Sequence, residues 1–400
     1  MSLMYLVAWA IASLFYAYQY ILRVMPNIMM VDIVDQFNID AAAFGQLSGV
    51  YYIGYSLMHI PIGTMLDRYG AKRVVPVALL VMVVGLLPFI FSTFWLYPII
   101  GRFFMGAGSS AAILSVFNIV RLSFSEKKFA RMLSISVTIG LIGAIYGGGP
   151  VKALCDIFGY KIVLIACAVA GIVLAAVSYF AIPETTETAH RPILADIVEV
   201  FSNAKVLTVC FLAGLMVGPL EGFADVWGTE FLKRVYGFDI SFAASAPSLI
   251  FVGMCFGAPL LSLIAEKTDY YFGTIIVSGA IMAASFFALV GGYASMTSVN
   301  ISFVCVGICS AYQILAIYKA SLYPKPSVAG LTTAVANMII MTFGYLFHAV
   351  IGTVINNMGG IENARAFTYG MAVIPVALTI GTLGFMAYAI VQNIKYTKIQ

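Results

Sequence analysis

The chain has 400 residues, of which 62% are hydrophobic and only 10% are charged, and its formal net charge is +4. A soluble domain carries about 25% charged residues, so a soluble globule of this length would have too few charges to cover its surface. The composition therefore excludes a soluble enzyme, a disordered protein and a fibrous protein, and it predicts an integral membrane protein.

Apolar segments recur along the whole chain and are separated by short polar stretches. Because a membrane-spanning helix needs about 20 apolar residues, the pattern predicts an all-α integral membrane fold with twelve transmembrane helices. The first segment lacks a basic leader and a cleavage site, so we interpret it as a span and not as a removed signal peptide. The predicted spans cover residues 4–31, 43–66, 74–93, 96–121, 130–153, 161–182, 206–232, 243–265, 272–293, 298–322, 328–355 and 366–392.

Lysine and arginine are distributed unequally between the two sets of predicted loops. One set holds five: Lys152, Lys161, Lys233, Arg234 and Arg365. The other set, with the C-terminal tail, holds fourteen: Arg68, Lys72, Arg73, Arg121, Lys127, Lys128, Arg131, Arg191, Lys205, Lys267, Lys319, Lys325, Lys395 and Lys398. Cytoplasmic loops carry the excess of basic residues, so both termini are predicted to be cytoplasmic.

A polar stretch near the middle divides the chain into two halves. Residues 183–205 are interpreted as a cytoplasmic linker between six-helix bundles at 1–182 and 206–400. Gly63–Arg68 corresponds to Ser262–Lys267 at an offset of 199 residues, and Gly106–Ala111 loosely matches Gly307–Tyr312 at an offset of 201. The nearly equal offsets indicate two pseudo-symmetric repeats.

The loop between spans 2 and 3 carries the strongest motif. It resembles the signature loop of the major facilitator superfamily, whose fold is a pair of six-helix bundles. The alternative is a solvated loop that only follows the charge rule. Gly63 is expected to allow close helix contact, Asp67 to pair with a basic residue at a neighbouring helix end and tie the halves together, and Gly70 to permit a sharp turn. The motif, interpreted as a gate, comprises Gly63, Asp67, Arg68, Gly70, Lys72 and Arg73.

Two further segments are similar to motifs of that family. Arg102 with Gly106 and Gly108 resembles its fourth-helix motif, with an arginine snorkelling to the outer face as the alternative. The glycines of span 5 resemble a relaxed form of its fifth-helix motif, with simple packing and bending as the alternative. They are Gly140, Gly143, Gly147, Gly148 and Gly149, followed by Pro150.

Span 1 also resembles one branch of the family. The run Tyr18-Gln-Tyr20-Ile-Leu-Arg23 is similar to the first helix of the sugar-phosphate and organic-anion permeases, whose arginine meets the substrate anion. The resemblance implies a substrate-contacting role for Arg23. The second arginine of that branch falls near Glu221, and its fifth-helix histidine near Ala144. These departures argue against a phosphate-ester substrate.

A few charged residues lie inside the predicted spans, where each costs roughly 2.5–3.5 kcal/mol on insertion scales. Arg23 is in span 1, and Glu221 and Asp225 are one turn apart in span 7. We expect Arg23 and Glu221 to face each other across the substrate path, because the repeat offset places them at pseudo-symmetric positions of the two halves. Arg23 would then recognise a substrate carboxylate in a bidentate manner. Glu221 would bind an amino group or carry a proton, and the alternative is a structural ion pair without substrate contact. The candidates for proton coupling are Glu221, Asp225 and Arg102.

Other polar residues within the spans are weaker candidates for substrate binding. For each, a hydrogen bond between helices is an equally good interpretation. They are Tyr51, Tyr55, Asn118, Tyr312, Gln313 and Asn337. Tyr20 and Asn27 are stronger candidates, because they share one face of span 1 with Arg23. The six cysteines are interpreted as apolar packing residues, so no metal site is expected.

Together these features predict a proton-coupled secondary active transporter of a bacterial inner membrane. The expected substrate is a small organic anion or zwitterion: a carboxylate, amino acid, peptide or carboxylate-bearing chelator. An exporter of drugs or siderophore-type compounds is the alternative function, and sodium symport and facilitated diffusion stay open. No nucleotide-binding motif is present, the longest basic run is the pair Lys127-Lys128, and three histidines without paired carboxylates argue against an enzyme. We therefore expect a monomer in the lipid bilayer, without cofactor or nucleic acid.

Overall fold

The structure, a computed structural model, describes residues 3–124, 126–184, 193–325 and 328–397. Residues 185–192 of the predicted linker lie outside these ranges, as do Arg191 and Lys398, which contributed to the predicted orientation. Within the described ranges the chain is helical and contains no strand. The helices are α1 Leu3–Phe37, α2 Ala41–Tyr69, α3 Ala71–Phe91, α4 Leu96–Ser123, α5 Glu126–Gly147, α6 Gly149–Phe158, α7 Tyr160–Ala181, α8 Ile193–Ser202, α9 Ala204–Gly214, a π-helix Gly218–Trp227, α10 Gly228–Tyr236, α11 Ile240–Ser245, α12 Ser248–Thr268, α13 Tyr271–Val290, α14 Met296–Ser310, α15 Tyr312–Ser321, α16 Ala329–Asn357 and α17 Ala364–Thr397.

The helices correspond to the twelve predicted spans, which confirms the fold class. Among the described residues, ten helices are long and apolar enough to cross a membrane, with α5–α6, α11–α12 and α14–α15 each joined into one. The second predicted span, α2, is 29 residues long but is not among these ten. It is less apolar than they are. The seventh is divided among α9, the π-helix and α10, so none of its pieces spans a bilayer alone.

The two halves repeat the same close helix contact. In the first half, a Cβ built at Gly106 of α4 would lie 1.8 Å from the carbonyl oxygen of Tyr51 in α2. In the second half, a Cβ at Gly307 of α14 would lie 2.0 Å from the carbonyl oxygen of Ile250 in α12. Only glycine permits such an approach, and the offset between the two glycines is the 201 residues predicted from the sequence.

A buried serine contact is repeated at nearly the same offset. Ser109 Oγ lies 3.6 Å from the sulfur of Met82, and Ser310 Oγ lies 3.6 Å from the sulfur of Met282. All four residues are in the interior of the protein. The repeat is therefore expressed in side-chain packing as well as in the order of the helices.

The halves meet at one end and separate at the other. We call the end where Tyr5, Ala71, Leu122 and Ile182 meet the terminal side, and the other end the closed side. On the closed side α2 packs against α16, and a Cβ at Gly45 would lie 2.3 Å from the carbonyl oxygen of His348.

A second contact on the closed side joins the end of span 5, in the first half, to the second half. A Cβ at Gly148 would lie 2.5 Å from Ser248 Oγ, and one at Gly149 would lie 2.4 Å from Ser245 Oγ. We call these four residues the closed-side seam. The span 5 glycines therefore serve the packing that the sequence allowed for, and this part of it crosses between the halves.

Candidate functional site

A cavity of about 710 Å³ lies between the halves and reaches the terminal side. Its walls come from α1, α2, α4 and α5 in the first half and from the π-helix, α12, α15 and α16 in the second. Seven of the predicted substrate-binding residues line it: Tyr20, Arg23, Tyr55, Asn118, Glu221, Gln313 and Asn337. Its inner end is formed by Arg23 and Glu221, and its mouth by residues such as Asp67 and Gly330.

Arg23 is bound directly by carboxylates of the other half. Its Nε lies 2.7 Å from Asp225 Oδ2, and its Nη2 contacts Glu221 Oε2. The arginine is 6% exposed, Glu221 is 1% exposed and Asp225 is fully buried. The predicted juxtaposition of Arg23 with Glu221 is thus present as an ion pair across the boundary between the halves.

Two aromatic rings flank the guanidinium group of Arg23. Its central carbon lies 5.0 Å from the ring centre of Tyr20 and 5.2 Å from that of Tyr52. Such cation–π contacts are strongest where the cation is removed from water. The rings therefore help to fix the direction in which Arg23 presents its donors to the cavity.

The two carboxylates sit on the π-helix, a widened segment that often occurs at functional sites. It starts at Gly218-Pro219, where proline lacks a backbone N–H. Asn27 crosses from α1, donates to the carbonyl oxygen of Ala224 at 2.9 Å and accepts from the amide of Thr229 at 3.0 Å. Asn27 was a candidate for substrate binding, but both ends of its side chain hold this backbone and it does not line the cavity.

His348 of α16 also supports the π-helix. Its Nε2 contacts the backbone carbonyl oxygen of Glu221. Since a carbonyl only accepts, the ring must donate from Nε2. The side chain is fully buried, and it fixes the backbone from which the Glu221 carboxylate projects.

Tyr52 belongs to the same buried cluster, although the sequence did not lead us to select it. Its hydroxyl contacts both Glu221 Oε2 and Asp225 Oδ2. The stripe Ser48, Tyr52 and Ser56 has a spacing of four residues, which places a polar face along α2. That stripe could have pointed to Tyr52, whereas Tyr51 and Tyr55 drew attention to a neighbouring face.

Arg102 is 1% exposed, so the alternative of an arginine that snorkels outward is wrong. Its described hydrogen bonds go to main-chain oxygens: Leu22 at 3.0 Å, Arg23 at 3.4 Å and Ser48 at 3.3 Å. Its guanidinium carbon also lies 4.8 Å from the ring centre of Tyr51. Arg102 therefore joins α1 and α2 directly beneath the ion pair.

Two of the predicted tyrosines point away from the cavity. The hydroxyl of Tyr51 donates to Gln19 Oε1 at 2.7 Å, and that of Tyr312 donates to the carbonyl oxygen of Ala213 at 2.6 Å. Each follows the interhelical interpretation. Tyr55, by contrast, lines the cavity, and its hydroxyl accepts from Asn337 Nδ2 of the other half at 3.4 Å.

The gating motif lies at the cavity mouth and differs in one respect from expectation. A Cβ at Gly63 would have nothing within 4 Å, so the predicted close helix contact there is wrong. The reason is that Gly63 lines the open cavity. Asp67 Oδ1 lies 3.9 Å from Arg121 Nη2 at the end of α4, which is pairing within one half. A tie between the halves through Asp67 stays a prediction.

The rest of the motif caps helices and holds the linker end. Gly70 ends α2 with a φ of 73°, a conformation that favours glycine. Arg73 Nη2 lies 2.6 Å from Glu184 Oε1. Arg68 and Lys72 lie over the rings of Tyr69 and Tyr179 at 5.3 Å and 5.8 Å, respectively.

Twelve helical crossings in two matched halves, with a polar cluster at the inner end of a one-sided cavity, define a secondary transporter. The profile of the Major Facilitator Superfamily matches residues 8–349. The chain therefore belongs to this family, and it is a transporter and not an enzyme.

Of three bacterial relatives, two are similar over most of the chain and one over about half of it. "Uncharacterized transporter YybO" of Bacillus subtilis is 23% identical over 94% of this chain and 93% of its own length. A "Putative tartrate transporter" of Agrobacterium vitis is 21% identical over 90% and 92%. "Multidrug resistance protein MdtM" of Salmonella typhimurium is 23% identical over 51% and 50%.

Solved structures share the fold. A bacterial homologue of the human lysosomal transporter Spinster, in an inward-facing and unoccupied conformation, superimposes with a TM-score of 0.75 over 96% of this chain and 97% of its own, at 17% identity. The nucleoside transporter NupG gives a TM-score of 0.72 over 97% and 98%, at 16% identity. At these identities the likeness extends to the fold alone.

Proposed function

We propose that this transporter moves a small organic anion or zwitterion across the inner membrane of a bacterium and couples that movement to protons. The observation that carries the proposal is Arg23, a buried cation at the inner end of the cavity. Its donors are engaged by Glu221 and Asp225 of the other half. The proposed orientation, with both termini in the cytoplasm, rests on the distribution of basic residues and makes the open side cytoplasmic.

A substrate carboxylate would compete with Glu221 for Arg23. Both side chains line the cavity, so an anion entering from the terminal side reaches the guanidinium group next to Glu221. Guanidinium binds a carboxylate through two parallel hydrogen bonds. Recognition then exchanges an internal carboxylate for that of the substrate, and the exchange selects against molecules without an anionic group.

The displaced carboxylate supplies the coupling to protons. Removing one partner of a buried ion pair leaves an uncompensated charge, which costs about 3–5 kcal/mol. Protonation of Glu221 removes that cost. Binding of the anion and binding of a proton therefore favour each other, and release of the proton restores the internal pair and expels the substrate.

The same exchange bears on alternating access. Arg23 belongs to the first half, and Glu221 and Asp225 belong to the second, so the ion pairs join the two bodies that rock against each other. Replacing Glu221 by a substrate anion removes one of these links. Substrate binding would thereby lower the barrier to opening of the closed side.

The proposal is tested by uptake into proteoliposomes. Tartrate serves as the probe because relatives that span about 90% of the chain bear that name. We expect accumulation that increases with an imposed pH gradient, is lost in Arg23→Gln, and becomes independent of the gradient in Glu221→Gln. Uptake of anions by Arg23→Gln at the wild-type rate would contradict the substrate class, and gradient-independent wild-type uptake would contradict the coupling.

Export of lipophilic compounds is a second candidate, favoured by the similarity of half of the chain to MdtM. A thermal-shift screen of the purified protein distinguishes the two functions. Stabilisation by neutral lipophilic drugs, without stabilisation by organic acids or zwitterions, would favour the exporter.

A further inference from the structure

The hydroxyl of Tyr52 lies between the two carboxylates that hold Arg23. It contacts Glu221 Oε2 on one side and Asp225 Oδ2 on the other. Tyr52 itself is 1% exposed, so water cannot substitute for either contact. Three oxygen atoms therefore meet in a buried site.

The number of protons at the site decides whether both oxygen–oxygen contacts can be hydrogen bonds. A phenol has one proton to donate, whereas an ionised carboxylate only accepts. With both carboxylates ionised, one of the two close oxygen–oxygen contacts would contain no proton and would be repulsive. One additional proton on either carboxylate satisfies both contacts.

The surroundings favour Asp225 as the resting position of that proton. Asp225 is fully buried and does not line the cavity, whereas Glu221 does. Among the described residues, Asp225 Oδ1 has no hydrogen-bond partner. An unpartnered buried oxygen costs less on a neutral acid than on a carboxylate.

The charges around the site are consistent with one shared proton. The groups that face the two carboxylates are Arg23 and Tyr20 from α1, Tyr52 from α2, Arg102 from α4 and His348 from α16. With one proton shared, two arginines face one negative charge, so the cluster is positive by one and an anionic substrate neutralises it. With both carboxylates ionised, the same substrate would leave a buried negative charge.

We propose that Glu221 and Asp225 share a single proton and that it passes between them through the hydroxyl of Tyr52. The Asp225 Oδ2–H bond breaks as its proton moves to the phenol oxygen, and the phenol's own proton moves to Glu221 Oε2. Tyr52 is unchanged afterwards, and one carboxylate has been exchanged for the other as the acid. This step rests on the proposed function, because displacement of Glu221 by a substrate anion is what draws the proton toward it.

Infrared spectroscopy of the purified full chain at neutral pH tests the shared proton without a substrate. We expect a carbonyl-stretch band of a protonated carboxylic acid that disappears in Asp225→Asn. In Tyr52→Phe the band should shift to higher frequency, because the acid loses its acceptor. Tyr18→Phe is the matched control, since that hydroxyl is buried but donates to the carbonyl oxygen of Cys167 at 3.0 Å. A band that is absent, or that neither Asp225→Asn nor Glu221→Gln alters, would overturn the proposal.

Transport measurements test the path. In Tyr52→Phe, gradient-driven tartrate accumulation should fall about 100-fold, within the range for loss of a proton-transfer group. Exchange of tartrate at equal pH should fall less than this accumulation, because exchange needs no net release of a proton. Tyr18→Phe should retain both. Unchanged gradient-driven accumulation in Tyr52→Phe would overturn the path and leave the proposed function intact.

The two proposals fail in different ways. If the wild-type protein shows the sensitive infrared band but no response to a pH gradient, the proton is shared and the proposed coupling is wrong. The infrared comparison of Asp225→Asn with Glu221→Gln does not depend on whether Tyr52→Phe folds. Each result therefore counts for or against the shared proton.

Discussion

The two halves of the molecule share a scaffold and differ in their polar residues. Gly106 and Gly307 make equivalent contacts, 201 residues apart. At nearly the same offset, however, Arg102 of the first half corresponds to Phe303 of the second, and Arg23 corresponds to Glu221. Arg102 holds main-chain oxygens, whereas Phe303 packs against Phe223 with ring centres 5.2 Å apart.

The comparison shows how two halves of the same shape can hold a site with opposite charges on its two sides. The shared scaffold supplies two bodies of matched shape, which suits them to rocking around a central site. The differing residues place cations in one body and carboxylates in the other. The strongest attraction then lies across the boundary that must move.

Among the variants that test this difference between the halves, Arg23→Gln should have the largest effect on stability and uptake. Arg23→Gln removes the cation that directly contacts Glu221 and Asp225, which costs about 3–5 kcal/mol of stability. Tartrate uptake should fall more than about 100-fold. Denaturant unfolding in detergent and proteoliposome uptake are the measurements. The double variant Arg23→Gln/Glu221→Gln is the control: it should recover much of the stability and none of the uptake, and wild-type uptake by it would contradict the role of Arg23.

Placing the second half's phenylalanine at the equivalent position of the first half should have the next largest effect. Arg102→Phe removes the donors to three main-chain oxygens and should destabilise the protein by about 2–4 kcal/mol. Thermal unfolding checks this. Phe303→Leu, at the equivalent position, should cost only about 1 kcal/mol. Equal losses in the two variants would show that Arg102 acts only by filling volume.

The shared scaffold is tested by glycine substitutions. Gly106→Ala and Gly307→Ala should each cost about 1–3 kcal/mol, because the methyl group meets a backbone oxygen. Gly63→Ala should stay within about 0.5 kcal/mol, since its Cβ meets open space. Thermal unfolding of the three variants measures the difference. A neutral Gly307→Ala beside a damaging Gly106→Ala would mean that the halves do not share this contact.

The smallest expected effect concerns the cavity wall where the halves approach each other. Asn337→Ala removes the 3.4 Å hydrogen bond to Tyr55, which is worth about 0.6 kcal/mol in a membrane interior. We expect the KM for tartrate to change by about threefold or less, measured by uptake at graded concentrations. A loss as large as that of Arg23→Gln would make Asn337 a principal substrate ligand.

The fold and part of the site could be predicted from the sequence. The twelve spans follow from apolar length, and the facing of Arg23 with Glu221 follows from the repeat offset and the cost of isolated charges. The stripe Ser48, Tyr52 and Ser56 could have made Tyr52 a candidate. Its contact with two carboxylates could not be predicted, because the rotation of α2 about its own axis depends on its packing against α4 and α16. Asn27 was a candidate, but its role and that of His348 in holding the backbone could not be predicted, because the carbonyl oxygens that they contact belong to a π-helix that no residue pattern predicts.

Arg102 shows a further limit. The free-energy cost of an arginine within the membrane indicated that it needs partners. Those partners could not be predicted, because they are main-chain oxygens of α1 and α2, which approach Arg102 only in the folded protein. Gly63 shows the reverse limit, because a glycine expected to allow close helix contact lines the open cavity. Sequence patterns predict which residues matter more readily than they predict which conformation uses them.

The closed-side seam consists of glycine against serine, with no charge and little apolar surface. Separation of these four residues would therefore expose few hydrophobic atoms and break no ion pair. A side chain at Gly148 or Gly149 would act as a wedge against Ser248 or Ser245. Substitutions at the seam are therefore expected to shift the populations of the two access states without changing a member of the ion pair.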